Sequence, residues 1–253
     1  MKRKHFCSYL QNALFCGMTG SVYLIPTVLH EDEQALAALP AYITDAIKAC
    51  DVFFVEQEKT ARRFFKKLWR EMVIDNYEWH TIHKAEAAVK ASFIACLQQG
   101  KNIGIVSEAG CPGIADPGQV LVEAAQQINA VVKPLVGPSS ILLALMASGM
   151  NGQGFMFNGY LPIETAERKV SIKALETDSQ KRNCTEIFIE TPYRNNALLN
   201  DILITCHADT RLCIAVDITA PGESIVTKKI KDWKKEQGIQ LHKRPAIFLL
   251  HAG

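Results

Sequence analysis

The chain is read as an α/β protein made of two α/β domains, and three features of the sequence say so. Residues 103–106 form a short apolar run of strand type that ends in Ser107-Glu108-Ala109-Gly110. Pro112, Gly113, Asp116, Pro117 and Gly118 follow, and then a helical pattern starts. The same punctuation recurs at 131–135, where Gly137-Pro138-Ser139-Ser140 leads into another helical pattern. Strand-type runs also alternate with helical patterns along the first half, which is the signature of a mostly parallel sheet. A buried parallel strand ending in a Gly/Pro-rich loop is where open α/β sheets place their ligand crevice.

The elements follow in order. Residues 22–26 are a strand, and 34–50 are helical with Pro40 as a break or second start. Residues 52–55 are a strand, 59–69 a helix and 77–80 a short strand. The pattern over 85–99 is a helix closed by Gly100. Strand 103–106, helix 119–128, strand 131–135 and helix 139–148 follow, with Gly149 as another C-terminal cap. Asn151-Gly152-Gln153-Gly154 separates an N-terminal domain, 21–150, from a C-terminal domain, 154–253. The second domain reads as strand 155–158, helix 166–176, strand 187–190, helix 195–205 and strand 212–218. An antiparallel edge at 224–227, a short basic helix at 229–236 and a final strand at 246–250 complete it. Its closer strand spacing predicts a mixed sheet. Residues 1–20 read as a disordered extension, and Met18 is an alternative start.

Composition excludes several classes. Hydrophobic residues make up 48% of the 253, and charged residues 21%, as in ordinary globular proteins. A formal net charge of +2 gives no global nucleic-acid signature, so any basic patch is local. The eight cysteines (7, 16, 50, 96, 111, 184, 206, 213) contain no CxxC and read as buried thiols of a cytoplasmic protein. No apolar run approaches the ~18 residues of a membrane span. No GxGxxG follows the first strand, and there is no Walker loop and no GxSxG elbow. His80-x-x-His83 has metal-compatible spacing but no third evident ligand, so no metal site is assigned.

Four ordered segments carry a family resemblance: SEAGCPGIADPG (107–118), PLVGPSS (134–140), FNGYLP (157–162) and IETPYRNNALLNDI (189–202). In this order they resemble the tetrapyrrole methylase family, and more narrowly its ribosomal RNA branch, which methylates a ribose 2′-hydroxyl of small-subunit rRNA. The resemblance implies a cleft between the two domains that holds folded S-adenosylmethionine, and a homodimer. Gly110, Cys111, Pro112 and Ile114 match the loop facing the cofactor, with Cys111 where the branch has threonine. Ser139 and Ser140 match the loop contacting the adenosine part. Tyr160 and Leu161 match the second-domain loop that closes on the cofactor. Ala215, Pro245 and Ala246 match late strands lining the adenine pocket. The chain departs from the branch in Pro26-Thr27-Val28-Leu29-His30, where the branch has a Pro-Thr-Pro-x-Gly-Asn loop, and in Glu56-Gln57-Glu58-Lys59.

Methyl transfer to a hydroxyl needs positioning and a route for the proton. Glu190 and Arg194 are the candidate catalytic pair, and a structural ion pair is the other reading. Glu56 is a candidate substrate contact or a surface residue. Asp116 suits a capping role, and Glu108 suits either substrate contact or loop structure. Arg62, Arg63, Lys66, Lys67 and Arg70 form a basic stripe at helical spacing. It suits either contact with an RNA backbone or a solvated face. The expected partner is rRNA or the small ribosomal subunit. A same-fold enzyme for a small molecule such as a tetrapyrrole, and a degenerate member that binds without turnover, are the competing readings.

Overall fold

The computed structural model describes residues 19–82 and 86–253. The expected extension up to residue 18, Met18 and His83 lie outside the described residues. The chain folds into two compact units, 19–28 with 36–137, and 29–35 with 138–253.

The first unit carries β1 (Val22–Ile25), α1 (Ile43–Lys48), β2 (Val52–Val55), α2 (Glu58–Leu68), β3 (Glu78–Thr81), α3 (Glu86–Gln98), β4 (Ile103–Val106), α4 (Gln119–Gln127) and β5 (Val132–Pro134). Its sheet is wholly parallel, in the order β3-β2-β4-β1-β5. The runs VFFV and IGIV of β2 and β4 are buried at every position, as befits central strands covered on both faces. One face packs Ile43, Ile47, Phe64 and Phe65 of α1 and α2 on Ile25, Phe53 and Val55. The other packs Phe93, Leu97, Leu121 and Ala124 of α3 and α4 on Val22, Phe54, Ile103 and Ile105.

This topology positions the site. From β1 the chain crosses to β2 through α1; from β4 it crosses to β5 through α4, in the other direction along the sheet. Right-handed crossovers in opposite directions lie on opposite faces. The chains leaving the neighbouring strands β1 and β4 therefore part, and a crevice opens at their carboxyl ends. The break expected at Pro40 within 34–50 is present: a 3-10 turn at Glu33–Ala38 precedes it and α1 follows it.

The second unit carries α5 (Ser140–Ser148), β6 (Phe155–Tyr160), α6 (Thr165–Arg182), β7 (Thr185–Ile189), α7 (Asn195–Thr205), β8 (Arg211–Val216), β9 (Ser224–Lys229), α8 (Ile230–Trp233) and β10 (Ala246–His251). The sheet order is β6-β7-β10-β8-β9; β6 and β7 run parallel and the remaining pairs antiparallel. The mixed sheet and the antiparallel edge at β9 agree with the sequence reading. Along β10, Phe248 and Leu250 face α6 and α7, while Ile247 and Leu249 face α5. That alternation explains why the units part at 137/138 rather than at 151–154. Ala144 and Leu145 of α5 are buried against Ile187, Cys213 and Leu249, so this helix belongs to the second core.

Among the described residues no helix is long and apolar enough to cross a membrane. Cys50, Cys96, Cys184, Cys206 and Cys213 are buried free thiols, and Cys111 is half-buried.

Candidate active site

In the first unit the loops after β1, β4 and β5 are fastened to one another. Thr27 donates its amide to the Gly110 carbonyl at 2.9 Å and its hydroxyl to the Ser107 carbonyl at 3.3 Å. The Cys111 thiol lies 3.6 Å from the Gly137 carbonyl. Gly137 has no room for a side chain, since a Cβ there would stand 2.1 Å from Cβ of Pro26.

The loop Ser107–Gly118 holds an unusual backbone. Gly110 (φ +74°), Gly113 (φ +83°) and Ala115 (φ +60°) all lie in the left-handed region. Two of these residues are glycines, for which that region is cheap; Ala115 is strained there. Asp116 fixes the shape, because its carboxylate accepts the amides of Gly113 at 2.9 Å and Gly118 at 2.7 Å. The capping role expected of Asp116 does not form: α4 has Gly118 at its N-cap with no side-chain cap hydrogen bond, and the carboxylate braces the loop before the helix instead. Gly110 and Pro112 are buried, Cys111 and Gly113 half-buried, and Ile114 exposed at the loop tip.

Glu56, just past β2, accepts the Glu108 amide at 2.9 Å. Burial, and then the charge of Glu56, push the Glu108 carboxyl above the usual range. Burial also raises Asp116, against the pull of its two amide donors. The strand tips therefore present three carboxylates, and no lysine or arginine occurs between 107 and 118.

The basic stripe resolves into individual roles. Arg62 pairs with Glu58 and stacks over the Trp79 ring, 5.1 Å from its centroid. Lys66 donates to the Arg70 carbonyl, and at 2.9 Å to the Met72 carbonyl, holding the chain that leaves α2. Arg63 is exposed and makes no ion pair among the described residues.

In the second unit the predicted residues gather at one end of the sheet. Glu190 follows β7, and its side chain is 1% exposed. Its Oε1 accepts from the Thr191 amide and from Arg194, both at 2.6 Å. Its Oε2 is buried without a partner, as is Nε of Arg194. Asn195 opens α7 and donates to the Arg244 carbonyl at 2.7 Å; the Lys243 amide donates to the Pro192 carbonyl at 3.0 Å. These bonds lay the Glu190–Asn195 loop beside the segment that enters β10. Pro245 is exposed and accepts the Asp217 amide at 3.0 Å, joining the same end of β8. Ala215 and Ala246 are core residues, so only their backbone is available to a ligand.

Tyr160 pairs with Ile189 next door, past an irregularity in β6. It is 60% exposed, whereas Leu161 is anchored in the core. The loop after it is held by Arg168, whose guanidinium donates to the Ile163 carbonyl at 2.6 Å and forms a buried pair with Asp201. Sequence reading gave no role to Arg168, which no motif marks, or to Asp201, which lies within the 189–202 segment. It also missed Thr27, although that residue follows the first predicted strand directly. Ser139 caps α5, its hydroxyl accepting the Leu142 amide at 3.5 Å, and Ser140 is the first residue of that helix.

A polar cavity of about 580 Å³ lies at the other end of this sheet, lined by Lys173, Glu176, His207, Asp209, Arg211 and Lys229. It contains none of the motif residues. Lys173 is paired with Glu176, and Lys229 with Asp209.

Comparison with known proteins agrees with the resemblance read from the four segments. A family model of tetrapyrrole (corrin/porphyrin) methylases matches residues 38–233. Ribosomal RNA small subunit methyltransferase I of Bacillus subtilis (strain 168) is 30% identical over 225 residues, covering 87% of this chain and 72% of its own. Among solved structures, the methyltransferase CobJ superposes with a TM-score of 0.61 at 15% identity, covering 92% of this chain and 94% of its own. Uroporphyrin-III C-methyltransferase from Thermus thermophilus, complexed with S-adenosyl homocysteine, gives a TM-score of 0.54 at 13% identity, covering 92% and 97%. At these identities the structural likeness shows the fold alone.

Proposed function

Since the chain belongs to the tetrapyrrole (corrin/porphyrin) methylase family, we propose that it is an S-adenosylmethionine-dependent methyltransferase acting on a ribose 2′-hydroxyl of small-subunit rRNA. The observation that carries the RNA substrate is the 30% identity, across 87% of this chain, to a ribosomal RNA small subunit methyltransferase.

The residues fit the cofactor. A Cβ on Gly113 would meet nothing within 4 Å, so the loop backbone stands open to a ligand. The carboxylates of Glu56, Glu108 and Asp116, with no cation in the loop, suit a positively charged sulfonium. In the first unit, taken by itself, Gly110, Cys111, Pro112 and Ile114 are the residues that suit it. In the second unit, taken by itself, Ser139, Ser140, Tyr160, Leu161, Ala215, Pro245 and Ala246 are those the family resemblance names. S-adenosylmethionine supplies an activated methyl group when bound.

The protein's own part in the reaction falls to Glu190. Arg194 and the Thr191 amide hold Oε1; Oε2 is buried without a partner and has to be uncovered before it can orient the ribose hydroxyl and take its proton. The Arg194 guanidinium is half-buried, with a side chain 35% exposed, and so can reach a phosphate while still orienting Glu190. Arg63 is the leading RNA contact on α2, with Arg62 and Lys66 beside it committed partly to structure. A second copy of the chain is the expected partner, and the exposed Leu142 and Met146 on one side of α5 offer it an apolar face. A cytoplasmic location follows from the ribosomal substrate.

Calorimetric titration with S-adenosylmethionine, followed by transfer of labelled methyl to small ribosomal subunits lacking the modification, tests the reading. Affinity near micromolar, about −8 kcal/mol, and one methyl per subunit are expected. Glu190→Gln should keep cofactor affinity and lower transfer by roughly 100-fold or more. Cofactor binding with no transfer to any ribosomal substrate would refute the RNA assignment.

A further inference from the structure

Away from the strand tips, three side chains of different chemistry converge between the edge strand β3 and helix α3. They are the carboxylate of Glu78, the imidazole of His80 and the thiol of Cys96, and their donor atoms all lie within 4.8 Å of one another. We propose that these three residues bind a single divalent transition-metal ion, with Zn²⁺ the best match. The site owes nothing to the methyltransferase reading and stands whether or not that reading holds.

The donor set carries the argument. Thiolate sulfur, imidazole nitrogen and carboxylate oxygen are the three ligand types of protein zinc sites. A mixed set containing sulfur selects against Mg²⁺ and Ca²⁺, which take oxygen ligands. Nε2 of His80 already lies 2.7 Å from Oε1 of Glu78. In a tetrahedral zinc site, bond lengths of ~2.0–2.3 Å place neighbouring donors about 3.4–3.6 Å apart. The observed separations, none above 4.8 Å, are close to that spacing.

The surroundings are those of a supported site. Oε2 of Glu78 is held by Lys101 at 2.6 Å, which leaves Oε1 to the ion and fixes the carboxylate from behind. The His80 ring stacks on Phe54, with centroids 4.6 Å apart and planes 12° from parallel, so its orientation is set by the core. Cys96 is 5% exposed and approaches from α3, out of reach of bulk oxidants. Coordination as the thiolate releases one proton from sulfur. The three ligands found among the described residues leave a fourth position open. The ion would cross-link the exposed edge strand to the helix packed against it.

The test is a Co²⁺ titration of the full chain after chelator treatment, read by the thiolate-to-cobalt charge-transfer band. One equivalent of Co²⁺, displaced by Zn²⁺, is expected, with Zn²⁺ raising the melting temperature. Cys96→Ser should abolish the band, and His80→Gln should weaken binding by at least about 100-fold, beyond the usual loss for an outer-shell residue. If Cys96→Ser fails to fold, His80→Gln and Glu78→Gln decide the matter on the same band. No band in the wild type would overturn the proposal; a band undiminished in the variants would overturn it too and assign the thiolate to another cysteine.

Discussion

Replacing Arg168 by methionine should destabilise the second unit severely, and replacing its partner as well should restore most of the loss. Arg168 and Asp201 are 5% and 3% exposed. Nε of Arg168 donates to Oδ2 of Asp201 at 2.8 Å, a second guanidinium nitrogen reaches the same oxygen, and the group also donates to the carbonyls of Pro162 and Ile163. In Arg168→Met, Asp201 keeps only Lys169, 3.7 Å away and 38% exposed. An uncompensated buried charge of this kind costs ~3–5 kcal/mol. At ~2–4 °C per kcal/mol for a chain of this size, the melting temperature falls by roughly 6–20 °C. In Arg168→Met/Asp201→Leu no charge is left buried, and the residual cost is the hydrogen bonds to the Pro162 and Ile163 carbonyls and the Thr165 hydroxyl, at about 1 kcal/mol each. Urea and thermal unfolding by circular dichroism should therefore place the double variant closer to wild type than the single one. A single variant that loses less than about 1 kcal/mol, or a double variant worse than the single, would refute the reasoning.

Three further outcomes are expected. Gly137→Ala, which sets a Cβ against Pro26, should cost ~1–3 kcal/mol by overpacking and weaken S-adenosylmethionine binding in calorimetry. Glu176 is desolvated, yet Lys173, Thr210 and the His207 amide together hold its carboxyl below the usual range. Its folded pKa is thus depressed, so its stabilisation is complete above the ordinary carboxylate range and is lost as the pH falls through the folded value. Glu176→Gln should accordingly lose ~1.5–3 kcal/mol near neutrality, with the gap to wild type closing in acid unfolding curves. Lys66→Ala should lower stability by ~0.5–1.5 kcal/mol through the carbonyls it holds, while Arg63→Ala leaves the melt unchanged and weakens RNA binding in a filter assay.

Local signals account for what the sequence disclosed. VFFV and IGIV are apolar at all four positions and are bounded by polar residues, so β2 and β4 could be placed to the residue. Glu190 and Arg194 are four apart, and their pairing is a local matter. The errors arise where tertiary contacts decide. The stretch after Glu176 has no apolar period, yet α6 runs on to Arg182, because Ser179 is buried and bonds the Cys184 carbonyl at 2.7 Å. Arg168 and Asp201 sit 33 residues apart, and nothing local announces that they meet. The division between units depends on which core accepts α5, which its own sequence does not say.

The left-handed turns around Gly110, Gly113 and Ala115 bear on the thermodynamics of recognition. Asp116 braces them through protein groups alone, so the conformational entropy of this loop is surrendered when the chain folds. A ligand docking there meets a rigid rim and spends little of its affinity on ordering the backbone. Binding should then show a small entropic penalty, and a heat-capacity change set by the apolar surface covered rather than by coupled folding. Freeing the brace by Asp116→Ala would move that cost from folding to binding: the protein would gain slack where it lost strain, and the ligand would have to supply the order that a single carboxylate now provides.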